Sequence, residues 1–337
     1  MSPRASSQSR RGFALPSVLV LTGVVSVVFL VAVTALDVLG GQARDVVDGV
    51  TFREQVLTLE ARFAYLSATG RLTSTSLVPQ LGRGSGEVGV DAIALDGSYY
   101  RVAGARTLVS VQDEAGLINL DSLGREAMPR LFAALGADPA RQTVLADRLA
   151  DYIDPDDLKR PDGAEMDDYA RAGLPLPPNQ PLRHVAQVLG LLGWRENVVP
   201  SAWAAVRDSL TADPSTAVVN VNTAPALVLK VLYGFSDAQA EAAIRARRKD
   251  SFGSLESLGH AADVPLVGDT ERVYSFPNGR FALQIVDPVT RQVARARLEL
   301  TPDDADRPLW LAEESISLSP QAAQIPPNAP FLPKPTA

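Results

Sequence analysis

Eight carboxylates fall within the 18 residues from Asp151 to Asp168, namely Asp151, Asp154, Asp156, Asp157, Asp162, Glu165, Asp167 and Asp168, against two cations, Lys159 and Arg160. Crowding so many like charges into one folded loop raises their pKa values or calls for a cation. An oxygen-rich, flexible cluster suits calcium, which accepts roughly six to eight oxygens, backbone carbonyls included. The spacing is not that of an EF-hand, because no D-x-D-x-D-G run occurs. A solvated acidic surface is the plainer reading of these residues alone.

A second polar grouping lies at Asn220-Val221-Asn222-Thr223-Ala224, ahead of an apolar run. Asn222 or Thr223 is expected to cap a helix with Pro225 in its first turn. The stretch that follows resembles the helix-hairpin-helix of DNA-binding competence proteins, in which hairpin glycines let backbone amides approach a phosphate. Here the hairpin keeps Gly234 but has Ser236 at the second glycine position. Arg245, Arg247, Arg248 and Lys249 follow, and such a run is ordinarily a solvated face. With a net charge of −7 there is no global field for nucleic acid, and none is expected as a partner.

Catalytic groupings fare worse. Two histidines, His184 and His260, and no cysteine leave almost nothing for a zinc site or a His-based triad. Gly82-Arg83-Gly84-Ser85-Gly86 lacks the Lys-Ser/Thr of a phosphate-binding loop. No enzyme is expected.

The elements that must hold these groups can be read from periodicity. The uncharged stretch Phe13 to Leu36 is 24 residues long and follows a leader with three arginines and no acid. At about 1.5 Å per residue it is a helix long enough to cross a hydrocarbon core of about 30 Å. The basic flank and the later Asp37, Asp45 and Asp48 place the body outside the cytoplasm. After an expected bend at Gly40-Gly41, Phe52, Val56, Leu59, Phe63 and Leu66 recur at helical spacing and ask for a sheet to cover them. Strands are expected at 98–102, 106–111, 280–286 and 292–300, with a turn at 287–291. Between the two pairs, from Asp121 to near Tyr274, the period is helical, as in the stripes Leu145-Leu149-Ile153 and Leu182-Val185-Leu189-Leu192. From Asp303 the chain is Pro-rich and reads as a disordered tail.

Four phrases, Asp113-Glu114-Ala115-Gly116-Leu117-Ile118-Asn119-Leu120-Asp121, Asp151-Tyr152-Ile153-Asp154-Pro155-Asp156, Asp162-Gly163-Ala164-Glu165 with Tyr169, and Asn220 to Ala224, resemble in order and distance the K family of type II secretion minor pseudopilins. The resemblance spans about residues 10 to 300. Tyr152 stands where Trp is usual and Asp121 where Asn is usual.

The resemblance implies an α+β fold, in which an N-terminal transmembrane helix continues into a pilin-like helix on a small antiparallel sheet, with a large all-helical insertion of sterile-alpha or helix-hairpin-helix type. The domains are then a leader 1–12, a span 13–36, helix and first strands 37–118, an insertion 119–274, remaining strands 275–302 and a tail 303–337. The junction Arg10-Arg11-Gly12-Phe13 resembles a prepilin signal, so that a prepilin peptidase would cut between Gly12 and Phe13 and the new terminus be methylated. Ser17 occupies the fifth mature position, where fibre-forming pilins carry a glutamate. The family further implies calcium at the acidic phrase, with Asp154, Asp156, Glu165 and Asp168 as ligands and Asp162 as a fifth candidate. Asn220, Asn222 and Thr223 would serve as a cap or packing motif. The expected role is structural, at the tip of a periplasmic pseudopilus anchored in the inner membrane. Partners would be the I, J and H minor pseudopilins and exported substrates. A type IV pilus or DNA-uptake minor pilin is the alternative.

Overall fold

The computed structural model describes residues 14–79, 92–213, 218–266, 273–274, 276–301, 304, 306, 309–320, 322 and 328–333. Gly12, Phe13 and the loop 82–86 lie outside the described residues. Contacts divide the chain into two units, Met1–Leu57 and Thr58–Ala337.

The described residues of the first unit are helical. Helix α1 (Ala14–Thr69) runs unbroken for 56 residues, and its apolar side chains from Leu15 to Leu39 are largely exposed. Its length and composition are those of a single-pass membrane anchor. Polar side chains in the span are satisfied inside the helix. Thr22 Oγ1 donates to the Val18 carbonyl at 2.8 Å and Ser26 Oγ to the Thr22 carbonyl at 2.8 Å, as a medium without water requires. The helix is not interrupted at Gly40-Gly41, where a bend was expected. A helical glycine costs only about 1 kcal/mol, less than breaking the ladder of a helix that propagates from both sides.

In the second unit α1 ends with Leu59, Phe63 and Leu66 buried. A small antiparallel sheet follows, β1 (Arg71–Leu72), β2 (Ser76–Val78) and β3 (Ile93–Ala94). Next come β4 (Asp96–Arg101) and β5 (Leu108–Asp113), both in the main sheet.

The chain then leaves for a separate body. It contains β6 (Ile118–Asn119), α2 (Met128–Ala134), α3 (Pro139–Ile153), α4 (Met166–Ala172), α5 (Trp194–Asn197), α6 (Pro200–Val206) and β7 (Leu210–Thr211). It continues through β8 (Val219–Asn220), α7 (Ala226–Tyr233), α8 (Asp237–Arg247), α9 (Leu255–Ala262) and β9 (Val273–Tyr274). Two short parallel ladders, β6 with β7 and β8 with β9, qualify the all-helical expectation. The stripe at 182–192 is no α-helix either. Val185–Gly190 is a 3-10 turn with Leu182 and Val188 buried and Leu189 exposed.

The sheet is completed by β10 (Arg280–Asp287), β11 (Gln292–Leu300) and β12 (Leu309–Leu318), giving the order β12-β11-β10-β5-β4. β10 pairs with β5 so that Phe281 faces Asp113 and Leu283 faces Val111. Period-2 alternation gives one apolar buried face, Val109, Val111, Leu283, Ile285, Ala296 and Leu298, and one polar face, Ser110, Gln112, Gln284, Arg295 and Arg297. The polar face and the inserted body border an open pocket of about 360 Å³.

The tail is corrected by β12, which pairs along β11 from Gln292↔Leu318 to Leu300↔Leu309. Composition misled because Pro302, Pro308 and Pro320 flank the strand. Residues 309–318 contain no proline, so every ladder donor is available. Farther on, Phe331 bridges Arg101 at the opposite edge, with the Arg101 guanidinium 4.3 Å from the ring centroid.

Candidate functional site

Two polar sites organise the inserted body. The first is its joint with the sheet. Asp113 ends β5 on the inward face and is fully buried. Its Oδ2 accepts from Asn220 Nδ2 at 2.9 Å and Thr223 Oγ1 at 2.8 Å, and its Oδ1 from the Ala115 amide at 3.2 Å. No cation is among these partners. Burial pushes the carboxyl up to about 6, and the donors from Thr223 and Asn220 only partly oppose it. Gly116 allows the approach, since a Cβ there would stand 2.5 Å from Thr223 Oγ1.

Asn222 works in the other direction. Its side chain donates to the Phe252 carbonyl at 2.9 Å and accepts from the Phe252 amide at 2.7 Å, fastening α7 to the segment before α9. Neither Asn222 nor Thr223 caps α7. The N-cap is Pro225, which makes no side-chain cap bond. The expected capping side chains are committed to Asp113 and Phe252 instead.

The helix-hairpin-helix region is closed internally. Gly234 adopts φ 71° as the C-cap of α7, and Ser236 caps α8 by accepting from the Gln239 amide at 3.3 Å. A donor that could meet a phosphate is thereby spent on Ser236. Arg247 is not on a solvated face. It is 5 % exposed and donates to the carbonyls of Val221 at 3.1 Å and Ala224 at 2.5 Å.

The second site is the acidic loop between α3 and α4. Asp151, buried in the last turn of α3, accepts from the Arg160 amide at 3.2 Å and from Arg160 Nη1 at 2.5 Å. The same Nη1 donates to Asp154 Oδ2 at 2.6 Å. The loop closes only because residue 163 is glycine, where a Cβ would lie 1.7 Å from Asp151 Oδ2. Asp168, near the start of α4, accepts from the Glu165 amide at 3.0 Å and from Lys159 Nζ at 2.8 Å. That lysine chiefly holds its carboxyl down to about 2. Glu165 is 8 % exposed and neither carboxylate oxygen has a partner, nor does Asp154 Oδ1. Burial, then the charges of Asp151 and Asp154, push Glu165 up to about 7.

Of the expected ligands, Asp154 and Glu165 face this buried group. Asp168 is paired with lysine and with Arg171 at 2.6 Å, and Asp156 and Asp162 are exposed. The bare oxygens of Glu165 and Asp154 fit a cation. Yet among the described residues no three Asp, Glu or His side chains converge on a metal position. Arg160 and Lys159 already occupy the carboxylates that would have to converge, so the residues fit an ion only once Arg160 gives up Asp154.

A long apolar helix leading into an antiparallel sheet, with a helical body inserted between adjacent strands, is a pilin-like fold whose helix has the length and composition of a membrane anchor. The comparisons narrow this further. Two models described as "Type II secretion system (T2SS), protein K" match residues 106–208 and 219–272. The type II secretion system protein K of Pseudomonas aeruginosa PAO1 is 28 % identical over 211 residues, covering 58 % of this chain and 61 % of that relative's length. A chain of the GspK-GspI-GspJ complex from the type 2 secretion system of enterotoxigenic Escherichia coli superposes with a TM-score of 0.52 at 16 % identity, over 79 % of this chain and 97 % of that one. Over these residues the chain is similar to the type II secretion system protein K family, and it spans about three fifths of the length of that curated relative.

Proposed function

We propose that the protein is a minor pseudopilin at the tip of the type II secretion pseudopilus, a structural part of protein export across the outer membrane. The supporting observation is the inserted body, which leaves the sheet at Asp113 and re-enters beside it at Arg280. Bulk at one end of the sheet obstructs a further subunit added there. Ser17 supports the same reading, because a fibre neighbour would find no carboxylate at that position. In this role α1 is the inner-membrane anchor and the body is periplasmic. I and J subunits are the first partners, as in the complex named above, with H, exported substrates and a peptidase cutting at Gly12-Phe13 completing the set. Calcium belongs to the proposal, with Asp154 and Glu165 as its core ligands and Asp156, Asp162 and Asp168 recruited around them.

The test is co-purification of the detergent-solubilised chain with I, J and H subunits. A stoichiometric complex with I and J supports the reading, and monomeric recovery with every candidate overturns it. Salt-dependent binding of DNA by the same preparation would favour the DNA-uptake alternative.

A further inference from the structure

We infer that Arg160 is a built-in counter-ion that competes with a divalent cation for Asp154, so that the acidic loop exchanges an arginine for a metal. The inference rests on the calcium reading above. One guanidinium nitrogen, Nη1, reaches both Asp151 and Asp154, at 2.5 and 2.6 Å. It neutralises that pair and leaves Glu165 over. The third carboxylate is 8 % exposed with two bare oxygens, and the bare Oδ1 of Asp154 is the other unmet acceptor.

A single positive charge with donors in a rigid fork cannot turn to serve a third carboxylate without releasing the first two. A divalent ion could serve Glu165 and Asp154 together, but two cations against one carboxylate repel each other, so occupancy by one displaces the other. Displacement needs no unpacking, because the Arg160 side chain is 35 % exposed and can swing to solvent. The loop itself stays closed through the Arg160 amide on Asp151 Oδ2 and the tight contact at Gly163.

The experiment is calorimetric titration of calcium chloride into the detergent-solubilised full chain, comparing wild type with Arg160→Gln, Arg160→Lys and Glu165→Gln. Arg160→Gln should bind calcium about tenfold more tightly, a gain of about 1.4 kcal/mol, Arg160→Lys near wild type and Glu165→Gln more weakly. Wild-type binding with Arg160→Gln equal or weaker overturns the competition and leaves the calcium reading standing. No binding by either overturns both. Should Arg160→Gln not fold, phenylglyoxal labelling of the wild-type chain decides. Calcium should raise modification of Arg160, read by mass spectrometry, whereas unchanged or reduced labelling overturns the exchange.

Discussion

The joint at Asp113 and the loop at Asp151 both bury a carboxylate, and they stabilise it by opposite means. Asp113 is met by short neutral donors on rigid backbone, Asn220, Thr223 and the Ala115 amide. Asp151 is met by a long cation on a mobile stem that also serves Asp154. The first arrangement satisfies every acceptor and fixes one geometry. The second leaves Glu165 unsatisfied and can be rearranged by any better cation. A permanent joint and an exchangeable latch thus differ by the kind of donor rather than by the acid.

The largest test of this contrast is Asp113→Ala. It leaves Asn220 Nδ2 and Thr223 Oγ1 buried without an acceptor, at about 1–3 kcal/mol each. A loss of about 4 kcal/mol at pH 5 is expected in denaturant unfolding of the full chain, and a loss below 1 kcal/mol would make the joint incidental. Next comes pH. The Asp113 carboxyl rises from its ordinary 3.8 to about 6 on folding. Its contribution is therefore fully present below pH 4 and lost as pH rises through 6. Two units correspond to about 3 kcal/mol. The wild-type chain should lose stability over this window relative to Asp113→Asn, and parallel pH profiles would contradict the burial argument.

Calcium follows, on the side of the latch. At about 100 times its dissociation constant it should add about 2.7 kcal/mol. Glu165→Gln should reduce the gain, and magnesium, which prefers a smaller octahedral shell, should give less. A thermal midpoint indifferent to chelator and to calcium would reduce the loop to a solvated acidic surface. The smallest effect is Gly163→Ala, which forces a Cβ against Asp151 and should cost about 2 kcal/mol. An unchanged midpoint would show that the loop can reopen there.

Much of the frame was legible. The spacing of Phe52, Val56, Leu59, Phe63 and Leu66 marked positions that are all buried, and alternation located β10 and β11 within a residue of their observed ends. β12 was hidden because proline content was averaged over the tail, while the strand itself is proline-free. The joint was half legible. Asn222 or Thr223 was expected as a cap, within a cap or packing motif that includes Asn220, because these residue types favour caps, but the acceptor of Asn220 and Thr223 lies far away in sequence at Asp113. The available signal was an acid placed in step with Val109 and Val111 on an inward face. Arg247 carried a similar clue, four and seven residues beyond Ala243 and Ala240 on the buried side of α8. In the acidic loop the wealth of carboxylates was plain, whereas the priority of Asp151 and Arg160 depended on which oxygens the fold turned inward.

Phe281 sits directly across from Asp113, so the two ends of the inserted body meet as neighbours in one ladder. Closing a flexible loop costs only about 0.6 kcal/mol more for each doubling of its length. The sheet is therefore nearly indifferent to how much chain intervenes, provided the intervening chain folds and returns its ends to that spacing. The order of assembly follows. β5 and β10 must meet across the whole inserted body, whereas β10, β11 and β12 are joined by short connections and can zip locally. Formation of the β5–β10 ladder is then the non-local step, and the Asp113 joint, lying where the ladder begins, ties the inserted body to the sheet.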